Sequence, residues 1–293
     1  MFKLFPFDLK GDCIVPPASD SIRMSCVINF YGRLDLLQGI LFSLADQDYP
    51  RDRFEVILVE DRGGTEAGRH LAESFASRLP VRYLPLDRNF GKMGYSRNYG
   101  LSQSHGEIVL FLDDDTVLLH SDFLLLLDQL FAGQTDVDAV VPHGQASFAI
   151  MADHYDFHDP FFMTSRCMAY RREVLEKLGG FMDFFVGQED VEFVTRFTIA
   201  GKLALQSLAL HYAHPPLLVP NTRKPRAVGF SLYNLKPRYS RPVWLLLLVN
   251  CARHAPLILF PTRRYRREQG RFGVGVLLGI VDGLRGGNGQ VYG

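Results

Sequence analysis

The sequence has few cysteines, and they do not cluster. The four are far apart, form no CxxC pair and have no metal-finger spacing: Cys13, Cys26, Cys167 and Cys251. Oxidising compartments favour clustered cysteine frameworks. We therefore expect reduced thiols and a cytoplasmic protein.

The sequence also lacks net charge. Lys and Arg together number 32, as do Asp and Glu, so the formal net charge is zero. Nucleic-acid-binding proteins usually carry a basic excess, and we expect no nucleic-acid partner. The apolar fraction of 47% is ordinary for a folded protein. The length of 293 residues allows one large α/β domain, with or without a smaller appendage.

Long apolar runs are missing as well. No stretch reaches the roughly 18–20 apolar residues that a membrane-spanning helix needs. The nearest candidate, 243–260, contains Arg253, His254 and Pro256, so we do not expect it to span a membrane. The segment 1–12 is broken by a proline and charged residues, so no signal peptide is expected.

Apolar runs alternate with helical patterns from Ser25 to about Pro142. Strands are predicted at 25–31, 54–59, 81–84, 107–112 and 138–141, and helices at 34–44, 94–104 and 124–131, with a further helical stretch after the second strand. Such alternation implies βαβ units and a mostly parallel sheet with helices on both faces. Between Pro142 and Arg171 the alternation stops and aromatic residues become frequent, as is typical of a substrate-facing sheet and loops.

Two of the predicted strands end in acids. Glu60 and Asp61 follow the second strand, and Asp113-Asp114-Asp115 follows the apolar run IVLFL. Ligands of open parallel sheets bind at the carboxyl ends of the strands. Clustered carboxylates repel one another unless a cation or protons intervene. The acidic run is therefore either a solvated turn that caps the next helix or a Mg²⁺ or Mn²⁺ site that bridges phosphate oxygens.

Four segments, in this order, resemble family 2 glycosyltransferases of the GT-A fold. They are SCVINFYGRLDLLQGILFSLADQDYP, FEVILVEDRGG, NFGKMGYSRNYGLSQSHGEIVLFLDDDT and GGFMDFFVGQEDVEFVTRFTIAGK. The likeness runs from about Ser25 to His214, and the ordered series is far more specific than a DxD motif alone. It implies an α/β, GT-A-type, Rossmann-like domain with a mostly parallel central sheet, and a helical C-terminal tail follows it.

The expected organisation has three parts. Residues 1–24 form an N-terminal extension, 25–220 the GT-A catalytic domain and 221–293 a basic and apolar helical tail. Within the catalytic domain, 25–142 is the nucleotide-binding half and 143–220 the acceptor-side half.

The resemblance assigns donor-nucleotide binding to seven residues: Asn29, Tyr31, Arg33, Asp61, Arg97, Asp113 and Asp114. Asp61 matches the acid that accepts a hydrogen bond from the imide N–H of uracil or thymine, a bond that contributes about 1.5–3 kcal/mol. Arg97 and Asn98 match the segment that lines the nucleotide pocket. Taken alone, Asp61 is also consistent with a turn acid, and Arg97 with a surface helix residue.

The implied cofactor is Mn²⁺ or Mg²⁺. Asp115 is the expected metal ligand, with Asp113 nearer the ribose. A late histidine completes the metal or diphosphate site in this fold, and His214 is closer to the expected position than the alternate, His211. Lone histidines are more often structural, and that interpretation stays open here.

The resemblance implies that a catalytic base lies at Glu189-Asp190. Asp190 is the residue that we expect to deprotonate the acceptor hydroxyl, with Glu189 and Glu192 as fallback candidates. Acids at a helix N-terminus are favoured by the helix dipole whatever their function, so a structural role is the alternative.

The implied reaction is inverting transfer from a nucleoside-diphosphate sugar, UDP- or dTDP-linked, to a glycan or lipid-linked acceptor. Asn29 and Gly32 stand where the family usually has Pro and Asn, which leaves the base open. Three other functions remain as alternatives: a sugar nucleotidyltransferase, a non-catalytic binding protein and a retaining glycosyltransferase. The first needs a glycine-rich phosphate loop after the first strand, where this sequence supplies only Gly32.

The tail suggests contact with a membrane surface. Trp244 to Val249 and the stretch 272–284 are apolar and flank the arginine-rich run 263–267. Apolar faces beside basic residues suit an anionic bilayer, and place the protein peripherally on the inner face of the cytoplasmic membrane. Helices packed on the catalytic domain, or in a homodimer interface, are the alternative.

Overall fold

A computed structural model describes residues 10–19, 21–61, 63–146, 160–215, 222–260 and 264–287. Within these ranges, eight strands form one sheet: β1 (Met24–Phe30), β2 (Phe54–Glu60), β3 (Val81–Pro85), β4 (Ile108–Asp113), β5 (Val117–Leu118), β6 (Ala139–Ala146), β7 (Cys167–Arg171) and β8 (Ala204–His214). Their order across the sheet is β3-β2-β1-β4-β7-β6-β8-β5. All five predicted strands are confirmed, and the last extends further than predicted, to Ala146.

The sheet is mixed, and the strands β1, β2, β3 and β4 form a parallel part of it. β1 pairs in parallel with β2 and β4, and β2 with β3. β7 is antiparallel to β4 and β6, and β5 is antiparallel to β8, whereas β6 and β8 are parallel. Parallel neighbours need a crossover connection, usually a helix, and antiparallel neighbours do not. The loss of alternation after Pro142 therefore coincides with the antiparallel strand β7.

Helices cover both faces of this sheet: α1 (Leu34–Ala45), α2 (Glu66–Phe75), α3 (Met93–Ser102), α4 (Phe123–Gly133), α5 (Arg172–Leu178) and α6 (Glu189–Ile199). Successive side chains of a strand point to opposite faces. Ile28 of β1 therefore packs in one core with Leu41 of α1, whereas Val27 packs in a second core with Leu101 of α3 and Phe193 of α6.

The C-terminal tail is helical, as predicted: α7 (Arg223–Leu235), α8 (Arg241–Ala252), a 3-10 helix (Ala255–Leu259) and α9 (Arg264–Leu284). It packs on α6 and on the loop before it through a third core, in which Phe185 and Val191 meet Val228 and Leu232 of α7. α7 and α9 cross closely at Gly229, where an added Cβ would lie 2.0 Å from the carbonyl oxygen of Val276. α7 and α9 are therefore packed on the preceding part of the chain, as one of the two alternatives for the tail predicted.

The segment Arg241–Leu259 is long and apolar enough to cross a membrane by length and composition, with a mean hydropathy of 1.5. The sequence prediction discounted this region. In the structure it is two elements, because α8 ends at Ala252 and a turn at Arg253 and His254 precedes the 3-10 helix. Only 17% of the apolar stretch is buried.

The N-terminal extension follows the surface of the catalytic domain. The N–H groups of Gly11 and Cys13 donate to the carbonyls of Leu178 and Gly179, at 2.7 and 2.9 Å. Asp12 forms an ion pair with Arg238, just after α7. The described part of the extension therefore contacts both the catalytic domain and the tail.

Candidate active site

The carboxyl ends of β1, β2 and β4 meet at one edge of the sheet. Asn29 of β1 is paired in register with Val59 of β2 and with Asp113 of β4. Asp61 follows β2 directly, and its N–H donates to the carbonyl of Phe30 at 3.1 Å. The predicted nucleotide residues of three segments are therefore neighbours in space, as expected for the ligand edge of a parallel sheet.

Asp113, Asp115 and His214 form a compact group of candidate metal ligands. Their ligand atoms all lie within 4.8 Å of one another. His214 Nε2 is 2.9 Å from Asp115 Oδ1 and 3.5 Å from Asp113 Oδ2. His214 Nδ1 lies 2.6 Å from the carbonyl oxygen of Pro215, an arrangement that presents Nε2 to a metal. Two carboxylates and one imidazole suit Mn²⁺, so the three residues fit a divalent cation.

The charges of this group agree with a cation site. Burial by itself lowers the pKa of His214, but the hydrogen bonds and charges of Asp113 and Asp115 outweigh it and raise the pKa to about 9. Burial acts to raise the pKa of Asp113, yet Arg97 and His214 hold it well below its ordinary value. Protonated His214 thus supplies positive charge where a metal ion would supply it.

Arg33 lies against the same acidic run. Its guanidinium forms an ion pair with Asp114 and lies 2.7 Å from Asp115 Oδ2. The pKa of Asp114 is nevertheless raised to about 7, because burial outweighs the attraction of Arg33, and the charges of Asp115 and Asp113 act in the same direction as burial. Arg33, predicted to bind nucleotide, therefore also neutralises the acidic run.

Two residues of the site have left-handed backbone. Arg33 has a φ of 43° and Gln188, which precedes α6, a φ of 64°. Across the described ranges no other residue except glycine has a positive φ. This conformation costs energy in residues with a Cβ and is concentrated at functional sites.

Arg97 connects the metal-ligand group to α6. Its Nη2 lies 2.6 Å from Asp113 Oδ1 and its Nε 2.7 Å from Glu189 Oε1. The side chain is only 3% exposed, so Arg97 is not a surface helix residue. Burial acts to lower the pKa of Arg97, but the two carboxylates raise it above its ordinary value. The guanidinium is therefore a fixed positive charge between two acids.

Asp61 holds the loop that leads into α3. Its Oδ1 accepts from the N–H of Phe90 at 2.7 Å, and its Oδ2 accepts from Ser96 Oγ at 3.2 Å. Burial raises the pKa of Asp61, and these hydrogen bonds oppose the rise. A carboxylate oxygen accepts more than one hydrogen bond. Asp61 can therefore hold this loop and still accept an N–H from a base.

Asn29 has a buried amide for which the described residues supply no hydrogen-bond partner. The residue is 6% exposed, and within the described part of the chain neither amide atom has a hydrogen-bond partner. The same holds for Arg97 Nη1. An unsatisfied buried polar group costs about 1–3 kcal/mol. Because Asn29 is next to Asp113 in the sheet, these orphaned atoms fit a polar ligand such as a nucleoside at this edge.

The three acids of α6 have different surroundings. Glu189 is 2% exposed and pairs with Arg97; burial raises its pKa to about 7, although Arg97 opposes the rise. Glu192 is fully buried and accepts from Arg196 and from Tyr239 Oη, the latter at 2.5 Å. As a fallback base Glu192 is wrong, because its carboxylate is enclosed by these partners.

Asp190 is half-buried and is held from two sides. Its Oδ2 accepts from Thr164 Oγ1 at 2.6 Å and from the N–H of Ser165 at 3.0 Å, and its Oδ1 accepts from the N–H of Val191 at 2.8 Å. Sequence reasoning missed Thr164 and Ser165. Small hydroxyl residues before a strand are too common to single out, so no sequence signal marks them.

His211 lies outside the metal-ligand group. It is three positions before His214 on β8, and odd spacing places side chains on opposite faces of a strand. Its Nδ1 is 3.1 Å from Gln145 Nε2, and its ring lies beside those of His120 and His143. The structure therefore does not support His211 as the alternate metal ligand.

Tyr31, also predicted to bind nucleotide, accepts a long hydrogen bond from Asn89, at 3.4 Å.

Comparison with known proteins agrees with this geometry. The family model described as "Glycosyl transferase family 2" matches residues 25–179, more than half of the chain. The chain belongs to this family. In this family 2 glycosyltransferase the matched range contains all of β1 except Met24, together with β2, the acidic run, Arg97 and β7.

Two curated relatives illustrate the likeness in sequence. Glycosyltransferase AglE of Haloferax volcanii is 27% identical over 209 residues, which are 66% of this chain and 67% of that protein. Poly(ribitol-phosphate) beta-N-acetylglucosaminyltransferase TarS of Staphylococcus aureus is 34% identical over 94 residues, 32% of this chain. The match spans only 16% of the length of TarS.

Solved structures support the fold. S. aureus TarS 1-349 in complex with UDP-GlcNAc has a TM-score of 0.57 at 17% identity, covering 92% of this chain and 93% of that one. Mannosyltransferase PcManGT from Pyrobaculum calidifontis, in complex with GDP-Man and Mn²⁺, has a TM-score of 0.59 at 18% identity, covering 96% and 91%. The family 2 glycosyltransferase thus has the GT-A fold that its sequence predicts.

Proposed function

We propose that this chain transfers a glycosyl residue from a nucleoside-diphosphate sugar to a hydroxyl group of a glycan or lipid-linked acceptor, with inversion at the anomeric carbon. The observation that carries the proposal is the buried connection through Arg97. It joins Asp113 of the metal-ligand group to Glu189, the neighbour of Asp190.

The donor that we favour carries UDP or dTDP. Asp61 supports this choice, because its carboxylate lies at the ligand edge of the sheet and can accept the imide N–H of uracil or thymine. TarS was solved with UDP-GlcNAc, and PcManGT with GDP-Man, so related folds accept different bases. Asn29 supplies a buried amide where the family usually has proline, and we propose that it helps to determine which base is bound.

Mn²⁺ or Mg²⁺ bound by Asp113, Asp115 and His214 would offset the negative charge that grows on the leaving nucleoside diphosphate. The residues of the chain do the rest. Asp190 accepts the proton of the acceptor hydroxyl while that oxygen forms its bond to the anomeric carbon, and the bond from that carbon to the diphosphate breaks.

The groups around Asp190 set its orientation. Thr164 and the N–H of Ser165 both donate to Oδ2, which fixes the direction of the carboxylate. Arg97 keeps the neighbouring Glu189 paired, so one acid of the pair stays structural and the other faces the acceptor. For this reason we propose Asp190 as the base and Glu189 as its support.

We further propose a cytoplasmic location, at the inner face of a membrane where a lipid-linked acceptor is presented. The thiols support the first part, because all four cysteines are free. The basic and apolar tail supports the second part.

Thermal unfolding with added nucleotides tests the donor site. UDP, dTDP, GDP and CDP are each compared with and without Mn²⁺, on the wild type and on Asp115→Asn. Asp52→Asn is the matched control, because Asp52 is exposed and precedes β2, at the opposite end of that strand from Asp61. We expect a metal-dependent rise in Tm with UDP or dTDP that survives in Asp52→Asn and disappears in Asp115→Asn.

Transfer itself is tested by release of the nucleoside diphosphate in the presence of candidate acceptors, with NMR analysis of the anomeric configuration in the product. A β-linked product from an α-linked donor supports inversion. Retention of configuration would overturn the inverting mechanism, and a protein that gains no stability from any nucleotide would overturn the proposed donor site.

A further inference from the structure

The net charge of zero conceals a strong separation of charge along the chain. Residues 222–293 contain 13 of the 32 Lys and Arg but only 2 of the 32 Asp and Glu. The C-terminal part therefore has a formal charge of +11, and the part before it a charge of −11. Between Phe193 and Arg267 there is no Asp or Glu at all. Charge of one sign concentrated in one part of a protein attracts surfaces of the opposite sign.

The same part of the chain exposes a row of large apolar side chains. On α8, Leu245, Leu246 and Val249 are 53%, 69% and 54% exposed, and Leu259 and Phe260 beyond it are 80% and 59% exposed. We call the three residues on α8, Leu245, Leu246 and Val249, the α8 face. Apolar patches of this kind on soluble proteins mark sites of interaction.

The opposite side of α8 is fixed to the protein. Val243, Leu247 and Cys251 are buried in the core that α8 shares with α7 and α9. They follow one another at intervals of four, which places them on one side of the helix. α8 therefore lies flat on the protein with one side buried and the other exposed, as an interfacial helix does, rather than standing free as a span.

Basic residues bracket the α8 face. Arg241 and Arg253 are both exposed and stand four positions before Leu245 and four positions after Val249, in the same row of the helix. Arg253 hydrogen-bonds to Asn250, which keeps its charge at this end of the helix. An apolar centre with cationic ends matches the acyl chains and anionic headgroups of a bilayer surface.

We propose that the α8 face is a docking surface for an anionic lipid bilayer. The charge argues for this occupant over a symmetric dimer through two α8 faces, because that dimer would bring two positively charged surfaces together. The exposed side chains would enter the headgroup region while Arg241 and Arg253 contact lipid phosphates.

The docking surface is coupled to α6. Tyr239, just before α8, donates to Glu192 of α6. Ser231 of α7 accepts from the N–H of Val186 and donates to the carbonyl of Phe184, in the loop that leads into α6. Docking would therefore set the direction in which Asp190 faces the membrane. This orienting role rests on the proposed function, whereas lipid binding does not.

Vesicle co-sedimentation of the full chain tests the surface. Vesicles of phosphatidylcholine alone are compared with vesicles that also contain phosphatidylglycerol, at low and at high salt. We expect binding to the anionic vesicles at low salt only. The double variant Leu245→Ser/Leu246→Ser should lose roughly tenfold or more in partitioning, and Arg241→Gln/Arg253→Gln should depend less strongly on phosphatidylglycerol than the wild type does.

A matched control separates this surface from general surface hydrophobicity. Leu203 and Leu208 are 49% and 71% exposed, near and within β8, so Leu203→Ser/Leu208→Ser removes similar apolar area elsewhere and should bind vesicles as the wild type does. Thermal unfolding with UDP and Mn²⁺ on all variants reports the donor site separately. Vesicle binding that is lost equally in the control would overturn the proposal. So would a wild type that ignores anionic vesicles, or one that dimerises through the α8 face.

Discussion

Arg97 Nε lies 2.7 Å from Glu189 Oε1, and both side chains are 3% exposed. Nη2 of the same guanidinium lies 2.6 Å from Oδ1 of Asp113, at the end of β4. One buried cation therefore links the residues proposed for the metal to those proposed for proton transfer. Removing it would take the cationic partner from the buried Glu189, whereas Asp113 would keep His214.

Arg97→Ala should therefore lower both stability and donor binding. Removing one partner of a buried ion pair costs about 3–5 kcal/mol, because the remaining charge is uncompensated. Urea unfolding measures the loss, and the Tm increase with UDP and Mn²⁺ measures donor binding. Arg69→Ala, at an exposed position of α2, is the control and should change neither. An Arg97→Ala protein as stable as the wild type would show that the pair contributes nothing.

Asn29 and Asn98 should respond in opposite ways to the same change. The amide of Asn98 donates to the carbonyl of Phe181 and to Asp183, and accepts from the N–H of Phe181, so Asn98→Ala should cost about 2–3 kcal/mol of stability. Among the described residues the amide of Asn29 has no hydrogen-bond partner, so Asn29→Ala should lower stability by no more than about 1 kcal/mol and weaken nucleotide binding by about tenfold.

Chemical denaturation and nucleotide titration of the two variants check this contrast. Unchanged nucleotide affinity in Asn29→Ala would remove the amide from the donor site. A large loss of stability in the same variant would mean that the amide has a structural partner after all.

Metal affinity should rise with pH. His214 has a pKa of about 9 in the metal-free protein, so below that pH a metal must displace its proton. Mn²⁺ affinity should then increase about tenfold per pH unit up to about pH 9, as measured by calorimetry. His214→Gln should bind Mn²⁺ weakly and without this slope. His70→Gln, exposed on α2, should keep both affinity and slope, and a pH-independent wild type would argue against His214 as a ligand.

Stability without metal should fall as pH rises. The pKa of His214 rises from 6.5 to about 9 on folding, so its contribution, of the order of 3 kcal/mol, is complete below about pH 6.5 and is lost as pH rises to about 9. Asp114 and Glu189, whose pKa values are raised to about 7, reduce stability over a lower window, from about pH 4 to about pH 7. Denaturant unfolding in chelator should show both windows, and His214→Gln should lack the upper one.

Asp190→Asn should abolish transfer and leave donor binding intact. Loss of a general base lowers the rate by about 10²–10⁴, while the metal ligands and Asp61 are unchanged. Glu192→Gln is the informative comparison, because Glu192 is buried with Arg196 and Tyr239 and should lose stability instead. Initial rates of nucleoside-diphosphate release and Tm values together distinguish the two. Full activity in Asp190→Asn would assign the base elsewhere.

Much of the fold could be predicted from the local pattern of apolar and polar residues. The period of apolar residues placed the first strands and α1, α3 and α4 to within a few residues, because burial of one face imposes that period directly. The position of the acids at the carboxyl ends of β2 and β4 could also be predicted, because each follows directly on an apolar run that forms a strand. The antiparallel strand β7 was not foreseen, because strand direction depends on pairing between distant segments.

The sequence by itself determined the order of the elements, the position of the acidic run, the family and the total charge. Only the tertiary structure decided that His214 rather than His211 joins Asp113 and Asp115, and that the basic part of the chain carries an exposed apolar face. It also decided that Arg97 pairs with Glu189 across 92 positions of sequence. Such choices depend on which side chains are buried against one another, and burial is a property of the packed chain rather than of any local pattern.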